Sequence, residues 1–357
     1  MPNWKYPVFV GNCVDLMRKC PANSVDAIVT DPPYGLKFMN KEFDNLGEGA
    51  QQRQWHAAWA KEALRVLKPG GHIIAFGGTR TYHHLASALE EVGFGIRDCI
   101  SWVHSQGFPK SLDVSKAIDK AAGAEREVIG RRTDRAATPK QDIRGGRLMN
   151  GVNGGIDCSA ITAPATDAAR QWNGWGTALK PAVEPAVLAR KPLVGTVVAN
   201  VLKWGTGAIN VDGCRVESET INTWDDGAKP FGEGAGHKDT GRTVRGRWPA
   251  NLMHDGSDDV VGLFPDIQVG SASRFFYCAK ANKQERGAEN KHPTVKPVAL
   301  MEYLIKLVLP PRGIVLDPFA GSGTTLLAAK NLGVRAIGME LEPEYAEIAK
   351  KRIRELS

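Results

Sequence analysis

An α/β fold, with a largely parallel sheet covered by helices on both faces, is what this 357-residue sequence predicts. Three observations carry that expectation. Strand and helix signals alternate through the first hundred residues. The same alternation returns after residue 300. Between them lie long irregular stretches that keep neither period.

Taken in order, Val8-Phe9-Val10 is a short apolar run stopped by Gly11-Asn12, and Val14 to Cys20 has room for a short helix. Ala27-Ile28-Val29-Thr30 is a β-branched run cut off by Asp31-Pro32-Pro33. Residues 51–67 read as a helix, with Trp55, Ala58, Trp59, Leu64 and Leu67 near one face. Lys68-Pro69-Gly70-Gly71 is expected to break it before a strand over residues 72–76. Arg80 to Val92 is a helix ended by Gly93, and Phe94 to Val103 a further strand. Residues 105–180, rich in glycine and bases, predict a helix near Asp113–Ala121 and then a long mobile connection. A strand over residues 184–190 returns to the sheet, and residues 194–289 are again irregular. The closing segment reads as a helix (301–309), a strand (313–317), a helix (324–332), a strand (335–339) and a last helix (343–356).

Composition narrows the class. A hydrophobic fraction of 42% fills an ordinary globular core, and no apolar run approaches the ~20 residues of a membrane helix. The first residues lack a signal-peptide pattern, so a cytoplasmic protein with no membrane partner is expected. Cys13, Cys20, Cys99, Cys158, Cys214 and Cys278 form no C-x-x-C pair, so neither a zinc site nor a disulfide framework is indicated. His83-His84 are adjacent rather than four apart, and no metal is expected. The net charge of +7 suits a polyanionic partner.

Two short stretches carry chemistry. Asp317-Pro318-Phe319-Ala320-Gly321-Ser322-Gly323-Thr324-Thr325 joins a strand to a helix. Its glycines permit a tight turn and close backbone approach to a ligand. No lysine follows Gly323, which disfavours a P-loop, and Leu326 stands where a dinucleotide site has its third glycine. The acidic turn suits the amino group of an amino-acid-bearing nucleoside such as S-adenosylmethionine. Glu340, ending the next strand, is placed to accept ribose hydroxyls.

Asp31-Pro32-Pro33-Tyr34 follows a buried strand, which places it at the carboxyl edge of the sheet, where ligands bind. An exocyclic amine of adenine or cytosine is a poor nucleophile because its lone pair is delocalised into the ring. The Asp31 carboxylate and the Pro32 carbonyl can each accept one N–H and draw the nitrogen toward tetrahedral geometry. Pro33 stiffens the turn, and the Tyr34 ring can stack on the base.

Together these motifs resemble those of the amino-group DNA methyltransferases. The catalytic motif precedes the cofactor motif, which is similar to the circularly permuted β group. His292-Pro293-Thr294-Val295-Lys296-Pro297 and Gly11-Asn12-Cys13 resemble that group's cofactor-binding elements, with Asn12 where the family usually has aspartate. The resemblance implies a Rossmann-like fold with a seven-stranded mixed sheet, Val8–Val10 lying beside the C-terminal strands. It implies S-adenosylmethionine held by Asn12, Cys13, Thr294, Lys296, Pro297, the residues from Asp317 to Thr325, Glu340 and Leu341. It implies a discontinuous catalytic domain (1–104, 181–193 and 290–357), a basic insertion (105–180) and a target-recognition region (194–289). Segments such as Gly246-Arg247-Trp248-Pro249 resemble phage or prophage relatives, which makes an orphan methylase the expectation.

Base flipping is then required, and double-stranded DNA is the expected partner. Lys110, Arg131, Arg132, Arg144, Arg242, Arg245 and Arg247 are the candidate phosphate contacts among the glycine-rich stretches. Trp172, Trp175, Trp204, Trp224 and Trp248 read as core anchors rather than base wedges. Adenine N6 is the expected target, because D-P-P-Y accompanies it more often in the family. The alternatives are cytosine N4, an RNA or protein-amide substrate, and a catalytically silent DNA-binding module. A homodimer is expected by analogy.

Overall fold

In the computed structural model, residues 5–36, 44–105, 107, 111–131, 160–222, 243–267, 270–279 and 295–355 are described. The chain runs β1 (Val8–Val10), α1 (Cys13–Arg18), β2 (Val25–Thr30), α2 (Ala50–Val66), β3 (Leu67–Phe76), α3 (Tyr82–Glu91) and β4 (Gly95–Val103). Next come α4 (Val114–Ala121), β5 (Val128–Arg131), β6 (Ala160–Thr162) and α5 (Asp167–Gln171). They are followed by β7 (Val183–Arg190), α6 (Val197–Trp204), β8 (Val216–Asn222), β9 (Thr243–Arg247), β10 (Leu252–His254), α7 (Asp258–Val261), β11 (Asp266–Ile267), β12 (Gly270–Ser271) and β13 (Tyr277–Cys278). The chain closes with α8 (Val298–Val308), β14 (Ile314–Asp317), α9 (Thr324–Asn331), β15 (Arg335–Glu340) and α10 (Pro343–Glu355).

The main sheet has nine strands in the order β1-β15-β14-β2-β3-β7-β4-β10-β13. The first seven are the expected mixed sheet, with β1 parallel to β15 and only β7 antiparallel to its neighbours. The count of seven is corrected by β10 and β13, which extend the β4 edge in parallel. They are three and two residues long, too short to show any period in sequence.

Side-chain alternation makes two cores. Ala27, Val29, Ile74, Phe76, Ala186, Leu188 and Val315 face one side, under α8, α9 and α10. Ile28, Ile73, Ala75, Val187, Ala189 and Leu316 face the other, under α1, α2 and α3. The break expected at residues 68–71 is absorbed in β3: the register with β2 jumps from Val25↔Leu67 to Ala27↔His72. Gly70 sits at φ +78, and a Cβ there would lie 2.4 Å from the buried Asn200 amide. Asn200 donates to the Pro69 and Thr206 carbonyls at 2.9 and 2.7 Å.

The face of α2 differs from the expected one. Gln52, His56, Trp59, Ala60, Ala63 and Val66 are buried, while Ala58 is exposed. The apolar pattern misled because two buried positions are polar and satisfied.

Residues 107–181 form a second compact unit. The expected long mobile connection is corrected at both its ends. Asp113 caps α4 through the Lys116 amide at 3.0 Å, and β5 pairs with β6 in an antiparallel hairpin. The buried Asp119 accepts from Arg126 at 2.7 Å and from the Ala165 and Thr166 amides at 3.0 Å, joining α4 to the segment before α5. Among the described residues, no helix is long and apolar enough to cross a membrane.

Candidate active site

Strand order reverses direction between β14 and β2, so the chain's two chemical turns leave adjacent strands at the carboxyl edge. Thr30 closes the gap, its hydroxyl donating to Asp317 Oδ1 at 2.6 Å. Because β7 runs antiparallel, its first residues reach the same edge, with Glu184 opposite Trp102.

Asp31 and Tyr34 belong to a charged cluster. The Tyr34 hydroxyl lies 2.8 Å from Asp31 Oδ1 and 3.2 Å from Glu184 Oε2. The Lys296 ammonium donates to Asp31 Oδ2 at 2.6 Å and to the Tyr34 hydroxyl at 3.0 Å, and lies 2.9 Å from Glu184 Oε2. It also sits 4.8 Å over the Phe76 ring. His104 Nε2 stands 3.6 Å from the other Glu184 oxygen, Oε1. Burial would raise the Glu184 pKa, but the Lys296 charge and hydrogen bond, with His104 and Tyr34, hold it below the usual carboxylate value. Burial would lower that of Lys296, and the two carboxylates raise it instead. Burial, then the Asp31 and Glu184 charges, push the Tyr34 hydroxyl well up, so it stays protonated.

The turn itself is held from behind. The Tyr34 carbonyl accepts from Gln52 at 2.8 Å and from the Thr81 hydroxyl at 2.7 Å. Asp44 accepts from the Gly35 and Leu36 amides at 2.8 and 3.1 Å. Pro32 is buried and Pro33 half-buried. His56, whose pKa burial lowers to about 4, is neutral and accepts from Trp59 Nε1 at 3.3 Å.

On the cofactor side, the buried Asp317 carboxylate accepts from Thr30, from Thr325 Oγ1 at 2.5 Å and from the Phe319 amide at 3.0 Å. Burial raises its pKa to about 6 against these hydrogen bonds, and Asp31 adds to the rise. Glu340 accepts from the Gly321 amide at 2.7 Å and the Glu342 amide at 2.9 Å, and burial raises its pKa too. These donors are all neutral, so the turn is a buried acidic pair that a cationic ligand would complement. Phe319 packs 5.7 Å from Trp55 and 5.3 Å from Trp59 between ring centres. Gly323 sits at φ +82, and a Cβ there would come within 2.8 Å of the Ala349 Cβ on α10. Pro318 and Ala320 are buried in the same turn.

Several sequence candidates take other parts. Asn12 caps α1, its Oδ1 accepting from the Val14 amide at 2.9 Å. Burial raises the neighbouring Cys13 thiol to about 12. Ser322 and Thr324 face the buried Arg352, whose guanidinium donates to the Ser322 carbonyl at 2.6 Å and its hydroxyl at 3.0 Å. Lys296, expected at the cofactor, joins the Asp31–Tyr34–Glu184 cluster. Pro297 caps α8, and Leu341 is exposed. Thr294 lies outside the described residues.

Glu184 and Arg352 escaped sequence reasoning. Glu184 is one carboxylate at the head of an apolar strand, and Arg352 one base among several in an amphipathic helix. Neither sits in a dense motif.

Of the candidate phosphate contacts, Lys110, Arg132, Arg144 and Arg242 lie outside the described residues. Arg131 ends β5 exposed, Arg245 lies in β9, and the Arg247 guanidinium sits 4.1 Å over the Phe275 ring. The reading of the tryptophans as core anchors is corrected for three: Trp172, Trp175 and Trp248 are 41%, 61% and 66% exposed. Trp172 and Trp175 meet edge-to-face at 5.1 Å. Trp204 is half-buried, and Trp224 lies outside the described residues.

An open α/β sheet whose switch point joins an acidic, glycine-rich turn to a carboxylate–tyrosine turn defines a Rossmann-like methyltransferase. A family model described as DNA methylase, covering N6 and N4 methyltransferases, matches residues 25–122 and 203–351. The chain belongs to this family and is a DNA amino-methyltransferase, with S-adenosylmethionine as its methyl donor. It is 24% identical over 375 residues to the type II methyltransferase M.HindIII of Haemophilus influenzae, covering 94% of this chain and 91% of that protein. It is 24% identical over 344 residues to the type II methyltransferase M.HpaI of Haemophilus parainfluenzae, covering 96% and 72%. Among solved structures, the PvuII DNA methyltransferase (cytosine-N4-specific) shares the fold at a TM-score of 0.51 and 16% identity, covering 99% of this chain and 88% of that one.

Proposed function

We propose that the protein methylates adenine N6 at specific sites in duplex DNA, acting on a base flipped out of the helix. The observation that supports methyl transfer to a base amine is the meeting of the two turns, with Thr30 bonded to Asp317 immediately before Asp31; the choice of adenine rests on the Asp31-Pro32-Pro33-Tyr34 sequence. The bound cofactor supplies an electrophilic methyl group on a cationic sulfur. Asp317 and Glu340 hold the cationic nucleoside, with Phe319, Asn12, Cys13, Thr294, Pro297 and Leu341 around it. Asp31 and the Pro32 carbonyl accept the two N–H groups of the target amine, localising its lone pair. Tyr34 stacks on the base. The proton shed by the methylated nitrogen leaves through Asp31 to solvent. Positioning and preorganised charge carry the rate.

Residues 194–289 read the target. Lys110, Arg131, Arg132, Arg144, Arg242, Arg245 and Arg247 contact phosphates. The exposed Trp172–Trp175 pair offers an aromatic surface for an unstacked base. Two copies of the chain act together as a homodimer. Sedimentation with and without DNA tests this; a strict monomer in both would remove it.

Methyl-labelled S-adenosylmethionine incubated with mixed-sequence duplex DNA, followed by nucleoside mass spectrometry, tests the base. N6-methyladenine is expected, and N4-methylcytosine would overturn the assignment. Asp31→Ala is expected to lose at least about a thousandfold in methylation rate while keeping cofactor affinity. Methylation at the wild-type rate would sink the mechanism.

A further inference from the structure

Asp31 is committed on both sides in this structure. Its Oδ1 accepts from Tyr34 and its Oδ2 from Lys296, at 2.8 and 2.6 Å. A carboxylate has lone pairs to spare, but a buried ammonium at 2.6 Å holds the one face it touches. An incoming amine must displace a donor or share that oxygen.

Glu184 stands beside both donors. Its Oε2 is 2.9 Å from the Lys296 ammonium and 3.2 Å from the Tyr34 hydroxyl. Lys296 is only 9% exposed, so leaving Asp31 for water is closed to it. An ammonium carries three N–H donors and already points at both carboxylates, so a small tilt moves it from one to the other with its charge still paired. Lys296 belongs to the element read as cofactor-binding, whereas Glu184 comes from the antiparallel strand β7.

We propose that Glu184 is a positioning residue for methyl transfer, receiving the Lys296 ammonium and the Tyr34 hydroxyl when the target amine takes their place on Asp31. His104 Nε2 stands 3.6 Å from the other carboxylate oxygen, Oε1. The proposal rests on the reading of Asp31 as the amine acceptor. It adds a residue to which no matching motif pointed.

The test is a double-mutant cycle on the full-length protein, with Glu184→Gln, Lys296→Met and both together. The readouts are single-turnover methylation of duplex DNA and S-adenosylmethionine affinity by equilibrium binding. Gln keeps the shape of Glu184 but not its charge. Glu184→Gln is expected to slow methyl transfer on the order of a hundredfold, with cofactor affinity changed by less than about twofold. Glu184→Asp, which keeps the charge, recovers part of the rate. In the Lys296→Met background the same Gln substitution costs only about threefold, because no ammonium remains to be moved. The double variant removes the charge pair together, so it is expected to fold even where a single variant is destabilised.

Equal losses from Glu184→Gln in both backgrounds would overturn the proposal, as would a loss confined to cofactor affinity. A fully active Glu184→Gln beside an inactive Asp31→Ala would reject the role of Glu184 alone. An active Asp31→Ala would remove the reading beneath it.

Discussion

At Asp317, the proposed function and stability pull in opposite directions. Burial lifts its pKa from 3.8 to about 6. The folded chain therefore binds this proton more tightly than the unfolded chain, and stability falls as pH rises from about 4 to about 6. Above that window the ionised carboxylate costs the cofactor-free fold on the order of 3 kcal/mol. Asp317→Asn is expected to raise the melting temperature of the cofactor-free protein at pH 7 and to weaken S-adenosylmethionine binding. Thermal melting and titration calorimetry check the two halves; a variant that melts lower would refute the first. Cofactor affinity in the wild type is expected to fall as pH drops below about 6, where Asp317 loses its charge. At this scale the sequence was most legible where function packs residues tightly. Asp31, Tyr34 and Asp317 stand in short runs whose chemistry is readable without a fold. Glu184 does not, because its meaning comes from a strand direction that sets it 2.9 Å from Lys296.

Among the elements, the junction of α9 and α10 shows how the cofactor turn is held. Gly323 opens α9 at φ +82 and lets Ala349 of α10 come close. Gly323→Ala adds a strained backbone to a collision, and a loss of about 2–4 kcal/mol in urea unfolding is expected. A loss below about 0.5 kcal/mol would show that α10 can move aside. Elements were legible where apolar period and turn residues agree, as in β2, β14, α9 and β15. They were not where a polar residue is buried for the sake of the site. Gln52 and His56 occupy the inner face of α2, one bonded to the Tyr34 carbonyl and the other to Trp59, and periodicity cannot anticipate either. The Lys68–Gly71 stretch misled for the opposite reason. Its breakers make a bulge inside β3, accommodated by Asn200 from α6, an element distant in sequence.

For the whole molecule, an excess of seven positive charges lies in a chain whose cluster around Asp31 and Glu184 is rich in carboxylates. DNA affinity is accordingly expected to fall on the order of a thousandfold or more between roughly 50 and 200 mM salt, as seven phosphate contacts require. Filter binding or fluorescence anisotropy measures it, and a flat salt dependence would contradict the phosphate role given to the basic segments. The permuted order was readable from motif order alone, and the sheet follows it, with β1 beside β15. The nine-stranded extent was not, since β10 exists only by pairing with β4 and β13 only by pairing with β10. The joining of chain ends has a consequence during synthesis. Thr30 meets Asp317 across 287 positions, and Val8 to Val10 pair with Gly338 to Glu340. A ribosome therefore releases the Asp31–Tyr34 turn long before the strands that carry Asp317 and Glu340 exist. On the proposed reading of the site, a growing or truncated chain holds Asp31 and Tyr34 without a place for the methyl donor, and a fragment ending before residue 340 is expected to methylate no DNA.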